Sequence, residues 1–235
     1  MTENMASQSD SNINDFAYDF LRNHYASRFG SSKVLIDKDE LTRHGHTVQG
    51  LFSLKKQDNS LFVAALHTQH SPQIAKALVA YKKGGLSVFR YATALLGLAA
   101  VSVAGWQLGF LVTGLVAAVV LAASAFALHT YLEKRLKTRY LLSLLNELKK
   151  TQADEQWLGI SVSSLTFRHN YLAKQLLAAC ERRGIGIITV GQRAKVVLLK
   201  EPRPAVCRRG DFLSHYQSEG RIRKALLGDT VLRVA

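Results

Sequence analysis

The stretch Tyr91–Leu128, YATALLGLAAVSVAGWQLGFLVTGLVAAVVLAASAFAL, contains no Asp, Glu, Lys, Arg or His, while charge is dense on both sides of it. A hydrophobic fraction of 48%, ordinary for a globular chain, conceals this concentration. As one helix the run would be about 57 Å long, nearly twice the ~30 Å hydrocarbon thickness of a bilayer. A break near Gly105-Trp106-Gln107 instead gives Leu86–Ala104 and Leu108–Leu128, each long enough to cross once. Trp106 and Gln107 then suit the far interface, where an amphipathic ring and an amide meet headgroups and water. The sequence therefore predicts a membrane-spanning helical hairpin over 86–128.

The flanks orient it. Lys82, Lys83 and Arg90 precede the first helix, and Lys134, Arg135, Lys137 and Arg139 follow the second, so both termini are expected in the cytosol of an integral membrane protein. Small residues recur along both helices (Gly97, Ala100, Ala104; Gly114, Ala118, Ala122) and would let two backbones approach closely. Packing of the hairpin on itself explains them better than a homo-oligomer or protein-partner contact. Beyond Arg90 at the entrance of the first, neither span carries an Asp, Glu, Lys, Arg or His, which disfavours a transporter or channel. The hairpin reads as an anchor or assembly element.

The formal charge of +14 falls almost wholly outside that run. Anionic lipid headgroups and nucleic-acid phosphates both attract such a surface, and net charge does not separate them. Cys180 and Cys207 lie far apart with no CxxC or Cys/His framework, which fits a reducing compartment. Residues 1–13 are polar, lack the pattern of a signal peptide, and read as a disordered tail.

Outside the insert the pattern is that of an α/β domain. Phe16–Phe29 has helical spacing. Lys33–Ile36, His46–Leu54 and Leu61–Leu66 read as strands, the last two joined by a hairpin turn at Lys55–Ser60. Ser71–Lys82 reads as a helix ended by Gly84-Gly85. After the hairpin, Thr130–Lys150 is a helix with a broad apolar stripe, expected to continue the second span. Trp157–Ser163 is strand-like, Tyr171–Arg183 is a helix capped by Gly184, and Ile185–Val190 and Ala194–Leu199 are two more strands. The domain is thus split into 14–85 and 129–205, followed by a basic segment, 206–235, with a helix-like stretch at Asp211–Leu227.

That order, with GLFSLKKQDNSLFVAALHT in the first half and LAKQLLAACERRGIGIITV in the second, resembles the PD-(D/E)xK superfamily of restriction-endonuclease-like folds over about residues 14–82 and 150–203. The resemblance implies a mixed-sheet domain in which an Asp and a Glu on adjacent strands hold a divalent metal and a nearby Lys assists water attack. The aligned positions here are Gln49 or Gly50 for the Asp, Ala65 for the Glu and His67 for the Lys. Neutral side chains do not neutralise a hard cation, so the resemblance implies a degenerate, non-catalytic site without metal or other cofactor.

Asp37, Asp39 and Glu40 read as a turn between the first two strands. His44, His46, His67 and His70 could in principle offer imidazoles to zinc but lack a ligand framework. No nucleophile motif accompanies Cys180. Three basic groups are candidate contacts for nucleic acid or lipid: Lys55-Lys56 on the hairpin, Arg182-Arg183 at a helix end, where the macrodipole also favours cations, and Arg208-Arg209 in the tail. The expected function is a membrane-anchored, nuclease-like module that binds nucleic acid or protein at the cytosolic face. The alternatives are a tethered metal-dependent nuclease whose carboxylates have migrated to Asp37, Asp39 or Asp58, and a structural subunit of a larger membrane complex.

Overall fold

The structure, a computed structural model, describes residues 3–30, 33–191, 195–205 and 211–228. Its elements run α1 (Glu3–Phe29), β1 (Val34–Leu41), β2 (Thr47–Lys55), β3 (Leu61–His67), α2 (Ser71–Gly84), α3 (Phe89–Gln107), α4 (Leu111–Leu148), β4 (Glu155–Ile160), α5 (Tyr171–Arg183), β5 (Ile185–Val190), β6 (Val196–Lys200) and α6 (Glu219–Leu227), with 3-10 turns at Ser164–Phe167 and Phe212–His215. The chain forms two compact units, Ala80–Leu141 and the remainder.

The remainder is built on one six-stranded mixed sheet in the spatial order β1-β2-β3-β4-β5-β6. β1, β2 and β3 form an antiparallel meander, β3, β4 and β5 run parallel, and β6 returns antiparallel. Alternation along the strands gives the sheet two apolar faces. Helix α1 covers one, its Ala17, Tyr18, Leu21 and Tyr25 packing on Phe52, Leu54, Phe62, Ala64, Leu66, Trp157 and Ile188. The other face buries Leu51, Leu61, Val63 and Ala65 with Phe212, Leu213, Tyr216 and Ile222 from the C-terminal turn and α6. Helix α5 packs on β5 through a stripe of Leu172, Leu176, Ala179 and Cys180. Its N-cap, Asn170, accepts from Ala173 N–H and donates Nδ2–H to Leu78 O of α2 at 2.9 Å.

A polar cluster lies between α1 and the start of β4. Glu155 is 1% exposed and accepts from Tyr25 Oη–H at 2.8 Å and Arg28 Nη1–H at 2.7 Å, while Trp157 Nε1–H donates to Tyr25 Oη at 2.6 Å. Burial, then the adjacent Glu155 charge, pushes the Tyr25 phenol well above its ordinary value, so it remains a donor.

Four sequence readings are corrected. The stretch 1–13 was expected to be disordered, yet α1 begins at Glu3; extending a helix already anchored by packing adds a hydrogen bond per residue without a new nucleus. Strand β1 extends past Ile36 to Leu41 and includes Asp37, Asp39 and Glu40, which were read as a turn; Asp39 lies within it at φ 51°. The C-terminal stretch divides into the 3-10 turn at Phe212–His215 and α6. The hairpin break falls at Leu108–Phe110, where Gly109 takes φ 74°, so Trp106 and Gln107 end α3.

In the other unit, α3 and α4 are long and apolar enough to cross a membrane, their most apolar 18-residue windows having mean hydropathy 1.3 within Phe89–Gln107 and 2.0 within Val112–Leu148. The α4 helix is continuous for 38 residues, as expected from the stripe after the second span. Their apolar windows are only 6% and 11% buried, unlike core helices of a water-soluble fold, and Leu95, Leu96, Val112, Leu115 and Val120 are more than half exposed. The two helices touch at Gly105 and Gly114: a Cβ on Gly105 would lie 2.9 Å from the Gly114 Cα. Ala118 and Ala122 continue the buried row on α4, so that row packs the hairpin on itself. On α3 the pattern departs from expectation. Ala100 and Ala104 are exposed, and a Cβ on Gly97 would meet nothing.

Glu155→Ala should lower the unfolding free energy of the sheet unit by about 2 kcal/mol, read as a lower urea midpoint at unchanged slope, because Tyr25 loses a buried charged acceptor while Arg28 turns to water. An unchanged midpoint would show that the cluster contributes nothing to the seating of α1.

Candidate functional site

Strand parity decides which aligned positions share a face. Phe62, Ala64 and Leu66 of β3 pack toward α1, so Leu61, Val63, Ala65 and His67 point to the opposite side. On β2, Leu51 is opposite Ala65 and Gly50 opposite Leu66. A Cβ on Gly50 would strike the Tyr18 ring at 2.5 Å, so that position faces α1 and an Asp there would point away from Ala65. Gln49 is therefore the position that joins Ala65 and His67. The three lie together at one end of β2 and β3.

None is available to a metal as the resembled site requires. Gln49 uses its Oε1 to accept Thr68 N–H at 3.1 Å, and its carbonyl accepts the Tyr18 hydroxyl. Ala65 is fully buried in the core. His67 is 6% exposed, with Nε2 2.9 Å from Thr151 Oγ1. Thr151 donates its one hydroxyl proton to Leu148 O at 2.8 Å, so His67 donates from Nε2 and is the neutral Nε2–H tautomer. Burial, with a smaller contribution from His70, holds its pKa at about 4, well below the ordinary imidazole value. It carries no positive charge at neutral pH.

Two adjoining clefts open at this end of the sheet. One, of about 310 Å³, is lined by His46, His67, Gln69, His70, Glu147 and Thr151. The other, of about 270 Å³, is lined by Asn14, Thr47, Gln49, Thr68, Gln69 and Ser71. Amides, hydroxyls and imidazoles dominate. The one carboxylate, Glu147, is paired with Lys150 Nζ at 2.7 Å, a contact that holds its pKa below the ordinary carboxylate range. The clefts can exchange hydrogen bonds with a neutral polar group, and they lack the oxygen charge that a hard divalent cation demands. His46, His67 and His70 converge here, while His44 does not line either cleft. Among the described residues no three His, Cys, Asp or Glu side chains are grouped to hold a metal ion.

The carboxylates offered as a migrated site do not meet. Asp37 and Glu40 bind Arg221 of α6 at 2.6 and 3.4 Å. Asp58 instead closes the β2–β3 turn by accepting from Ser60 N–H at 3.0 Å and Ser60 Oγ–H at 2.6 Å. Asp37 and Asp58 are each committed to a structural partner, while Asp39, the third carboxylate offered, lies within β1 at φ 51°.

The basic residues are also dispersed. Lys56 Nζ sits 5.2 Å from the Phe62 ring centroid, with exposed Lys55 beside it at the end of β2. Arg182 folds back on its own helix, donating Nε–H to Ala178 O at 3.3 Å, whereas Arg183 reaches Asn146 Oδ1 at 2.6 Å. Lys82 and Lys83 occupy the last turn of α2. Arg90 stacks 4.9 Å from the Tyr91 ring and 5.4 Å from Phe126; Lys137 pairs with Glu133 at 2.7 Å; Arg135 lies 6.0 Å from Tyr131. Lys134 and Arg139 lie on the same helix. Arg208, Arg209 and Cys207 lie outside the described residues. Cys180 is buried on the apolar face of α5, and burial pushes its thiol up to about 12, an inert state.

Sequence reasoning missed Thr68, Gln69 and Thr151, which line these clefts and have no motif of their own. Thr151 acquires its role from the ring nitrogen of a residue 84 positions away. No family model matches the chain, nor does any curated protein or solved structure.

His67 generates a pH dependence of stability. Its folded pKa of about 4 lies below the unfolded value of 6.5, so the unfolded chain takes up the proton first. Its contribution is complete above pH 6.5 and is lost as the pH falls toward 4, by up to about 3 kcal/mol. Denaturation midpoints measured across this window should fall more steeply for the parent than for His67→Gln; parallel curves would refute the assignment.

Proposed function

We propose that this chain is a membrane-anchored, non-catalytic module with a restriction-endonuclease-like sheet domain, which holds a partner at the cytosolic face of a bilayer. The observation that carries the reading is the pairing of an intact sheet with a vacated site. Gln49, Ala65 and His67 occupy one face at one end of β2 and β3, where the resembled nucleases need carboxylates and a lysine, and each is neutral and already engaged. Asp37 and Asp58 are tied to Arg221 and Ser60, and among the described residues neither they nor Asp39 belong to a group of three ligating side chains, which argues against a migrated metal site.

Support for the anchor comes from the exposed apolar surface of α3 and α4, which water would penalise and lipid would solvate. Lys82, Lys83, Arg90, Lys134, Arg135, Lys137 and Arg139 flank that stretch at both of its ends in sequence, as expected for segments retained in the cytosol. The charge of +14 suits a partner or surface of opposite sign.

Two measurements test the two halves of this reading. Membranes washed with alkaline carbonate or high salt should retain the protein, and release without detergent would remove the anchor. The detergent-purified full chain, given Mg²⁺ or Mn²⁺ with DNA or RNA, should leave both intact. Metal-dependent cleavage abolished by one substitution in this chain would overturn the loss of catalysis.

A further inference from the structure

A third cleft, of about 180 Å³, opens elsewhere in the sheet unit, and its walls are cationic. Lys149, Arg183 and Arg203 line it, beside Thr151, Gln152 and Gln156. The three cations come from separate stretches: the residue after α4, the last residue of α5 and the segment after β6. The Arg203 N–H donates to Gly184 O at 2.9 Å, fixing the third stretch beside the second.

The partners of these side chains distinguish them from the other basic residues. Lys150, Lys200, Arg28, Arg43, Arg221 and Arg223 each hold a carboxylate within 4 Å. Among the described residues Lys149, Arg183 and Arg203 do not. Arg183 is oriented by its Nη2 contact to Asn146, while its Nη1 is buried with no acceptor. A guanidinium nitrogen left so is costly, and an anionic oxygen is the acceptor that relieves it best. The one carboxylate on the wall, Asp154, faces β3: its Oδ2 accepts Val63 N–H at 2.8 Å, and its own N–H donates to Val63 O at 2.9 Å. Gln156 is likewise occupied, donating to Thr151 O.

We infer that this cleft is a binding site for a single phosphate group, with Arg183 as the oriented fork and Lys149 and Arg203 as flanking charges. The volume admits one phosphate with a few attached atoms, and the three cations, less the Asp154 carboxylate on the wall, balance a dianion. A terminal phosphate can be borne by a nucleotide or by a lipid headgroup, and the chemistry at the cleft is the same for both. The inference concerns the sheet unit alone; it depends neither on membrane insertion nor on the loss of catalysis, so those tests can fail without it.

The test uses the full chain in a neutral detergent, at constant ionic strength set with chloride. Inorganic phosphate at 10 mM should raise the melting temperature of the sheet unit by about 3–5 °C over chloride alone. The shift should fall below half in Arg183→Gln, or in Lys149→Ala/Arg203→Ala, whose two side chains are exposed. Adenosine 5′-monophosphate and dihexanoyl phosphatidic acid are then compared at equal concentration. A larger shift with the first assigns a nucleotide source and with the second a lipid source, and either sustains the site. No shift beyond chloride with any of the three ligands, or full shifts retained in both variants, overturns it.

Discussion

The sheet exists only because two stretches of chain separated by the apolar hairpin come back side by side. β3 and β4 pair in parallel, Ala64 with Glu155 and His67 with Leu158, across an interval that contains α2, α3 and α4. A parallel crossover ordinarily returns through one helix packed on the sheet; here the crossover includes 62 residues that form a compact unit of their own, Ala80–Leu141. The cost of closing so long a loop grows only logarithmically with its length, so an insert of this size is tolerated if the strands it separates pair well. Reciprocal bonds between Val63 and Asp154 begin the pairing, and the acceptor shared by Tyr25 and Arg28 fixes α1 across it. Glu155 bonds a helix from the first half while its backbone lies in the first strand of the second. The two halves therefore fold as one domain.

The same closure determines which chemistry the sheet presents. His67 is the last residue of β3, and the parallel pairing brings the chain before β4 against it, so that Thr151 receives the His67 proton and relays its own to Leu148. An imidazole so placed is dry and uncharged. A hydrogen-bond relay occupies this end of the sheet. The cationic cleft draws its residues from the residue after α4, the end of α5 and the chain beyond β6.

Much of this was legible in the sequence, for reasons particular residues make clear. Helices α2 and α5 carry an unambiguous period and explicit punctuation, a Ser-Pro start in one and Gly184 at φ 71° ending the other. The charge-free run defined α3 and α4 by composition alone. What the sequence obscured was register. Asp37, Asp39 and Glu40 look like turn residues, yet β1 is an edge strand, and its charges are accommodated by solvent and by Arg221 from the far end of the chain. Gln49 and Gly50 could not be separated without the pairing of Gly50 with Leu66, which turns only Gln49 toward His67.

The small residues of the hairpin show the same limit. Gly114, Ala118 and Ala122 recur every four residues; Ala118 and Ala122 are buried, and Gly114, half-buried, makes the close crossing with Gly105. On α3 the equally suggestive Gly97, Ala100 and Ala104 lie mostly off that contact. Spacing alone does not reveal which face of a helix is used when all of its faces are apolar, because the hydrophobic contrast that orients a helix in water is missing. Backbone proximity replaces it as the discriminating quantity. Where a Cβ would collide, as at Gly105 and Gly114, the residue is held by its neighbour helix. At Gly97, where it would meet empty space, the apolar surroundings permit glycine without demanding it.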